Sequence, residues 1–189
     1  MLRLAFTGPH GVGKTTLIKA LTGHLSSRGR VTACREAPRL IAEQVGDPVF
    51  FRRENNQLSR QALIFLEHIM EERRAATATD VLLSDRTLVD HLAYTQVLFP
   101  NSVETPEGRT YHRLAIESLS YYDAIFQLPI EFAPVDDGVR EADFAFQQQI
   151  DVAITALYAA AKVGPIIVRG SLTERAEQIE RHLVSLSPL

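Results

Sequence analysis

Cysteine is almost missing from this chain: Cys34 stands alone among 189 residues. A single thiol excludes an intramolecular disulfide and a cysteine zinc cluster, and a reducing cytoplasm is the expected compartment. Lysine is scarce as well. Lys14, Lys19 and Lys162 are the three lysines among 20 basic residues, a bias that speaks of genome composition rather than mechanism. Long hydrophobic runs are absent, the longest being a few residues against the roughly 20 that a membrane-spanning helix needs, so no membrane role is expected. The opening MLRLAFTGPHG turns to glycine where a signal peptide would continue its apolar run. Positive charge is not in excess either. Twenty Lys+Arg against 23 Asp+Glu leave a net charge of −3, which disfavours nucleic-acid binding by bulk electrostatics but leaves room for a local basic groove. The six histidines are scattered with no pair at ligand spacing, so no transition-metal site is expected. What remains is a globular composition, 46% hydrophobic and 23% charged, which excludes a disordered or fibrous chain. No repeat or low-complexity linker interrupts it, and a single domain over 1–189 is expected.

Hydrophobic periodicity alternates between two types along the chain. Short apolar runs at 2–7, 31–35, 81–84, 124–128 and 166–169 read as buried strands. Between them, 15–25, 58–76, 88–98, 106–121, 144–161 and 173–184 read as helices. In the longest of these, Leu63, Leu66, Ile69 and Met70 supply the apolar spacing, and Pro38 punctuates the exit from the second strand. Strands alternating with helices predict parallel βαβ units: a doubly wound α/β fold with a five-stranded parallel sheet and helices on both faces.

Between the first strand and first helix lies GPHGVGKTT, comprising Gly8, Pro9, His10, Gly11, Val12, Gly13, Lys14, Thr15 and Thr16. Gly8, Gly13, Lys14 and Thr15 fill every fixed position of the phosphate-binding P-loop, G-x-x-x-x-G-K-[ST]. Glycines let the backbone wrap a phosphate with its N–H groups inward, and the following helix adds the positive end of its dipole. Lys14, expected to be exposed to phosphate, can reach the β- and γ-phosphates, and the Thr15 hydroxyl can ligate Mg²⁺. A glycine-rich turn that binds nothing is the weaker reading, and ATP with Mg²⁺ is the expected ligand pair.

The use made of the nucleotide is narrowed by the rest of the chain. No Asn-Lys pair exists to read guanine as GTPases do. AAA-type machines are usually longer, and their sensor and finger segments have no counterpart here. Asp85, in VLLSDR, falls just beyond the third strand, where ligands of open parallel sheets bind. It can hold the Mg²⁺ water shell or accept a hydroxyl proton, and Arg86 beside it offers a planar fork to phosphate. The competing reading makes Asp85 the cap of the helix that begins near Thr87. Glu36, in TACREAPRL at the end of the second strand, has Arg35 and Arg39 nearby. It reads either as a second carboxylate of the site or as half of a surface ion pair.

A strand, a P-loop, a Glu after the second strand and an Asp-Arg after the third resemble the P-loop nucleoside and nucleotide kinases. In the deoxynucleoside kinase branch, the resemblance makes Glu36 the base acting on a sugar hydroxyl, and Asp85 with Arg86 the pair serving substrate and phosphate. The segment YYDAIFQLPIEFAPVDDGVR, with Asp123, Asp136, Asp137, Gly138 and Arg140, is similar to a narrower group. That group is the ATPase/kinase family containing the ribosylnicotinamide kinase domain of the bacterial NAD regulator. Thymidylate kinase is a more distant relative by its Asp-Arg signature, and phage enzymes that phosphorylate 5-hydroxymethyluracil in DNA resemble small kinases of this kind. The resemblance spans 1 to about 185, and the P-loop is its most specific part.

It implies a lid-like segment at about 131–145, in which Arg140 neutralises charge on the transferring phosphoryl group. The acidic flank of Asp136, Asp137, Glu141 and Asp143 departs from an arginine-rich lid, and reads alternatively as help for Mg²⁺ or a cationic substrate, or as a solvated loop. Phe50, Phe51, Arg52 and Arg53 could clamp a base or phosphate, with a core role for the phenylalanines the simpler reading. Gln61 reads a base edge or lies at the surface. Arg169, Gly170 and Ser171 follow the last strand, where the resemblance implies a loop whose backbone, rather than any side chain, contacts adenine. Cys34 is expected to be a small buried residue.

Three functions therefore stand side by side. The leading one is an ATP- and Mg²⁺-dependent kinase acting on a nucleoside- or nucleotide-like acceptor. The second is the same transfer to a modified base in DNA, which needs Arg35, Arg39, Arg52, Arg53, Arg73 and Arg74 to converge. The third is a nucleotide-binding regulatory ATPase without an acceptor. A homodimer is compatible with each.

Overall fold

Each of the five apolar runs pairs in parallel with a neighbour, in the order Val31–Cys34, Val81–Asp85, Leu2–Thr7, Ala124–Gln127, Ile166–Ile167 across the sheet. The computed structural model describes residues 1–47, 50, 57–131 and 143–186. In chain order these form β1 (Leu2–Thr7), α1 (Lys14–His24), β2 (Val31–Cys34), α2 (Ala37–Val45), α3 (Leu58–Ala76), β3 (Val81–Asp85), α4 (Leu88–Leu98), α5 (Pro106–Ser118), β4 (Ala124–Gln127), α6 (Phe144–Ala160), β5 (Ile166–Ile167) and α7 (Leu172–Leu186).

The pleat sorts the core. Leu4 and Phe6 of β1 face α1 and α7 together with Leu83 and Phe126, whereas Ala5 faces α4, α5 and α6 together with Ile125. The same alternation sends the last two residues of β3 to opposite faces. Ser84 meets Glu72 of α3, and Asp85 meets Thr15 of α1. Because β3 pairs directly with β1, Asp85 comes into register with Phe6, one residue before the turn into the P-loop.

Two sequence expectations change. Pro38 does not merely end β2: it sits in the first turn of α2, whose Ala37, Leu40 and Ile41 are buried. A proline there lacks only an N–H that no helix would have used. In α3 the buried face carries Gln61, Ile64, Phe65 and His68, leaving Leu63, Leu66 and Met70 exposed. The apolar spacing pointed to the wrong stripe because the inner face of this helix is half polar.

That polar face is largely paired, with His68 Nε2 left without a hydrogen bond among the described residues. Gln61 accepts from Thr95 at 3.2 Å, and His68 lies 3.3 Å from His91 across ring nitrogens. The Glu72 carboxylate accepts the Ser84 hydroxyl and, at 2.8 Å, the Tyr122 hydroxyl, and it faces His68 at 3.5 Å. Burial alone would raise its pKa, but His68, Ser84 and Tyr122 outweigh burial and hold it below the usual glutamate value. A depressed carboxylate adds stability that is fully present above its unfolded pKa of about 4.3 and is lost as pH falls through the folded value. Glu72→Gln is therefore expected to lower stability at pH 7 by about 1–3 kcal/mol. The deficit should close below about pH 4, as read from melting curves between pH 3 and 8; a deficit that does not change with pH would remove the carboxylate from this role.

Candidate functional site

The P-loop joins β1 to α1 with Gly8, Gly11 and Gly13 at φ of +137°, +75° and +88°. These left-handed values are costly for any residue with a Cβ. At Gly8 a Cβ would also lie 2.5 Å from the Leu128 carbonyl oxygen. Lys14 opens α1 buried rather than exposed, with 5% of its surface accessible. Its Nζ donates to the Gly8 and Pro9 carbonyls at 2.9 and 2.6 Å. Burial first, then the Arg86 charge, lower the Lys14 pKa to about 7 against the opposing pull of Asp85, Asp90 and Glu36.

Side chains from three helices hold the loop. Asp90 Oδ1 accepts the Gly8 N–H and the Thr7 hydroxyl, both at 3.0 Å, while Oδ2 accepts the Thr87 N–H at 2.9 Å. The Tyr94 hydroxyl accepts the His10 N–H at 3.1 Å and meets His10 Nδ1 at 2.8 Å. Gln147 of α6 donates to the His10 carbonyl at 2.7 Å, and Arg175 of α7 donates to the Val12 carbonyl at 2.8 Å.

Asp85 is the last residue of β3, one position inside the strand rather than just beyond it. It accepts the Thr15 hydroxyl at 2.5 Å through Oδ2, while Oδ1 is buried with no hydrogen-bond partner among the described residues. Burial and the Glu36 charge raise its pKa above the usual aspartate value, despite Lys14, Thr15 and Arg86. It does not cap α4. The cap is Thr87, which with Asp90 forms a reciprocal capping box.

Arg86 comes next at φ +92°, a left-handed conformation for a residue with a side chain. Such strain persists where the surroundings over-determine it, and here they do. Its Nε donates to Glu36 at 2.5 Å, one terminal nitrogen donates to the Gly8 carbonyl at 3.1 Å, and its guanidinium lies over the Tyr94 ring at 5.1 Å. The other terminal nitrogen is buried with no hydrogen-bond partner among the described residues. Glu36 is no surface residue: 5% exposed, it accepts from Arg86 through one oxygen and from Arg39 at 3.2 Å through the other.

The structure thus gathers Lys14, Thr15, Glu36, Asp85 and Arg86 against the P-loop. Gln61 is buried beside Thr95 instead of lying at the surface. Phe50 packs against Ala37, Ile41 and Ile64, with the Arg60 guanidinium 3.9 Å from its ring centre. Cys34 is buried, and burial together with Glu72 and Glu71 pushes its thiol up to about 12, as for an unreactive core residue. Phe51, Arg52, Arg53, Asp136, Asp137, Gly138, Arg140 and Glu141 lie outside the described residues, as does most of the lid-like segment. Sequence reasoning missed Asp90, Tyr94, Gln147 and Arg175. A signal existed for Asp90 alone, since Thr87-x-x-Asp90 has capping-box spacing.

The residues fit a magnesium ion. No cluster of three or more His, Cys, Asp or Glu placed to hold a metal occurs among the described residues. One hydroxyl and one carboxylate with an orphaned buried oxygen match a Mg²⁺ that takes its remaining ligands from phosphate and water. No helix among the described residues is long and apolar enough to cross a membrane.

Comparison with known proteins bears on the class. A search of curated proteins finds no match. Among solved structures, the crystal structure of NadR protein in complex with NAD and AMP-PNP is similar to this chain, with TM-score 0.72 at 13% sequence identity. The alignment covers 100% of this chain and 50% of that one, so the chain spans half the length of that protein. At that identity the likeness speaks for the fold alone, a five-stranded parallel α/β sheet of the P-loop NTPase type. A family model described as an AAA domain matches residues 3–175. Chain length is therefore no ground for setting AAA-type proteins aside, since that model is matched within the 189 residues of this chain. The chain belongs to that AAA domain family.

Proposed function

We propose that this domain is an ATP- and Mg²⁺-dependent phosphotransferase whose acceptor is a hydroxyl of a nucleoside-like molecule. The observation that carries the reading is the Glu36–Arg86–Gly8 connection, in which one guanidinium spans the acceptor-side carboxylate and the P-loop backbone. Hydrolysis and transfer both need a group that orients the nucleophile. A buried carboxylate paired through arginine to the loop suits a hydroxyl nucleophile, whose proton it can accept. NadR, similar in fold, is described with NAD and AMP-PNP bound, which supports an adenine nucleotide as donor.

The chemistry depends on positioning and charge. Thr15 and Asp85 would hold the magnesium ion, which when bound offsets the charge of the phosphates. Lys14 lies in reach of the β- and γ-phosphates, and the spare nitrogen of Arg86 can donate to an oxygen of the transferring group. The acceptor oxygen attacks the γ-phosphorus, the bond from that phosphorus to the bridging oxygen breaks, and ADP leaves. Glu36, oriented by Arg86 and Arg39, takes the acceptor proton.

The test is a screen for γ-phosphate transfer to nucleosides, nucleotides and DNA bearing modified bases, and then the same transfer in Glu36→Gln. Acceptor phosphorylation is expected to fall at least about 100-fold, at the lower end of general-base effects, while ATP affinity stays within about threefold. Equal losses in transfer and ATP binding would move Glu36 to the metal site or the fold.

A regulatory ATPase without an acceptor is the second reading, favoured by the AAA-domain family match; it predicts ATP hydrolysis and no product in the screen. Transfer to DNA has less support. Arg35 is paired with Glu43, Arg39 with Glu36, and Arg74 with Glu67 and Glu71, so these cations are neutralised rather than gathered into a groove.

A further inference from the structure

A trans peptide unit points its C=O and the next residue's N–H in opposite directions. Holding one end therefore aims the other. In the P-loop, the His10 carbonyl shares its peptide with the Gly11 N–H, and the Val12 carbonyl shares its peptide with the Gly13 N–H. Both carbonyls are held by side chains from remote helices. Gln147, fully buried, donates to His10 O at 2.7 Å, and Arg175, 4% exposed, donates to Val12 O at 2.8 Å.

Arg175 is itself held in place, whereas Gln147 Oε1 is buried with no hydrogen-bond partner among the described residues. Arg175 uses a second nitrogen to pair with Glu131, whose two carboxylate oxygens accept the Gly170 N–H at 3.2 Å each. Gln147 begins the second turn of α6, behind the Asp143 cap and next to Phe146, whose ring lies 5.9 Å from that of His10. Glycine has no side chain to bias these peptides, and a flip at either would turn an inward N–H outward.

We propose that Gln147 and Arg175 are positioning residues for the anion cradle: by holding the His10 and Val12 carbonyls outward, they aim the Gly11 and Gly13 N–H groups at the bound phosphate chain. The inference rests on the reading of this loop as a nucleotide site. It assigns each side chain to one glycine, which a merely stabilising role would not do.

The experiment uses the full chain with inorganic tripolyphosphate and ATP as probes. Binding is read by calorimetry, and the Gly11 and Gly13 amide signals by ¹⁵N nuclear magnetic resonance. Both signals are expected to move on tripolyphosphate addition to the wild type. In Gln147→Leu the Gly11 response should shrink and that of Gly13 persist; in Arg175→Met the pattern should reverse. Each variant should bind tripolyphosphate about tenfold more weakly, the size of one lost hydrogen bond to a preorganised group. Arg175→Lys, which keeps a donor for Val12 and the charge beside Glu131, should recover most of the affinity, and it stands in if Arg175→Met does not fold. Affinity within twofold of wild type in both variants, or loss at both glycines alike, would overturn the proposal. A wild type that binds neither probe would overturn the nucleotide reading itself, and the inference with it.

Discussion

Lys14→Ala is expected to lower phosphoryl transfer by roughly 10²–10⁴ while the protein remains folded. The ammonium is buried in the mouth of the P-loop, where its partners are loop carbonyls and not core side chains. Its removal from a dry site forfeits about 3–5 kcal/mol of transition-state stabilisation. The low pKa adds a second signature. Burial and Arg86 bring Lys14 to about 7, so near pH 7–8 a fraction of the protein carries a neutral amine. Phosphate oxygens stabilise the charged form and raise that pKa, so nucleotide binding should take up protons from solution in this pH range. Calorimetry in buffers of unlike ionisation enthalpy measures the uptake, which is expected to disappear in Lys14→Ala and to fade in the wild type below about pH 6, where the amine is already protonated. Unchanged turnover in the variant would remove the P-loop assignment.

Asp85→Asn is expected to remove most activity, by about 10²–10³, with little rescue from high Mg²⁺. The amide keeps the shape and can still accept from Thr15, but it brings no negative charge to the metal. Stability should not suffer. The carboxylate is buried, one oxygen lacks a hydrogen-bond partner among the described residues, and burial together with the Glu36 charge raises its pKa. Neutralising it removes an unfavourable charge, and the melting temperature should hold or rise. Activity that persists while the melting temperature falls would make Asp85 a structural group. The two variants also differ from each other: Lys14→Ala should weaken ATP binding with or without metal, whereas Asp85→Asn should weaken the magnesium-dependent part alone.

Glu36 shows how far spacing can carry a reading. Its position after β2 suggests either a catalytic carboxylate or a surface pair, and the structure makes it a buried pair with a partner 50 residues away. The helix after it has its apolar face in Ala37, Leu40 and Ile41, yet Pro38 reads as a stop because proline marks helix starts and strand exits alike. For α3 the difficulty is physical in another way. Hydrophobic periodicity finds the buried face when that face is apolar, and this helix buries Gln61 and His68 while exposing Leu63, Leu66 and Met70.

The sequence by itself determined the alternation of strands and helices, the P-loop and the placement of Asp85 at a strand end. All of these depend on residues within a few positions of one another: glycines where φ must be positive, a lysine and threonine at the start of a helix, an apolar run before them. The tertiary structure alone decided which side chains complete the site. Thr15 meets Asp85 across 70 residues, Gly8 meets Asp90 across 82, His10 meets Gln147 across 137, and Val12 meets Arg175 across 163. Such partners are chosen by how the parallel crossovers return each helix to the carboxyl end of the sheet, and a polar residue on a helix looks the same in sequence whether it faces water or the backbone of a phosphate loop.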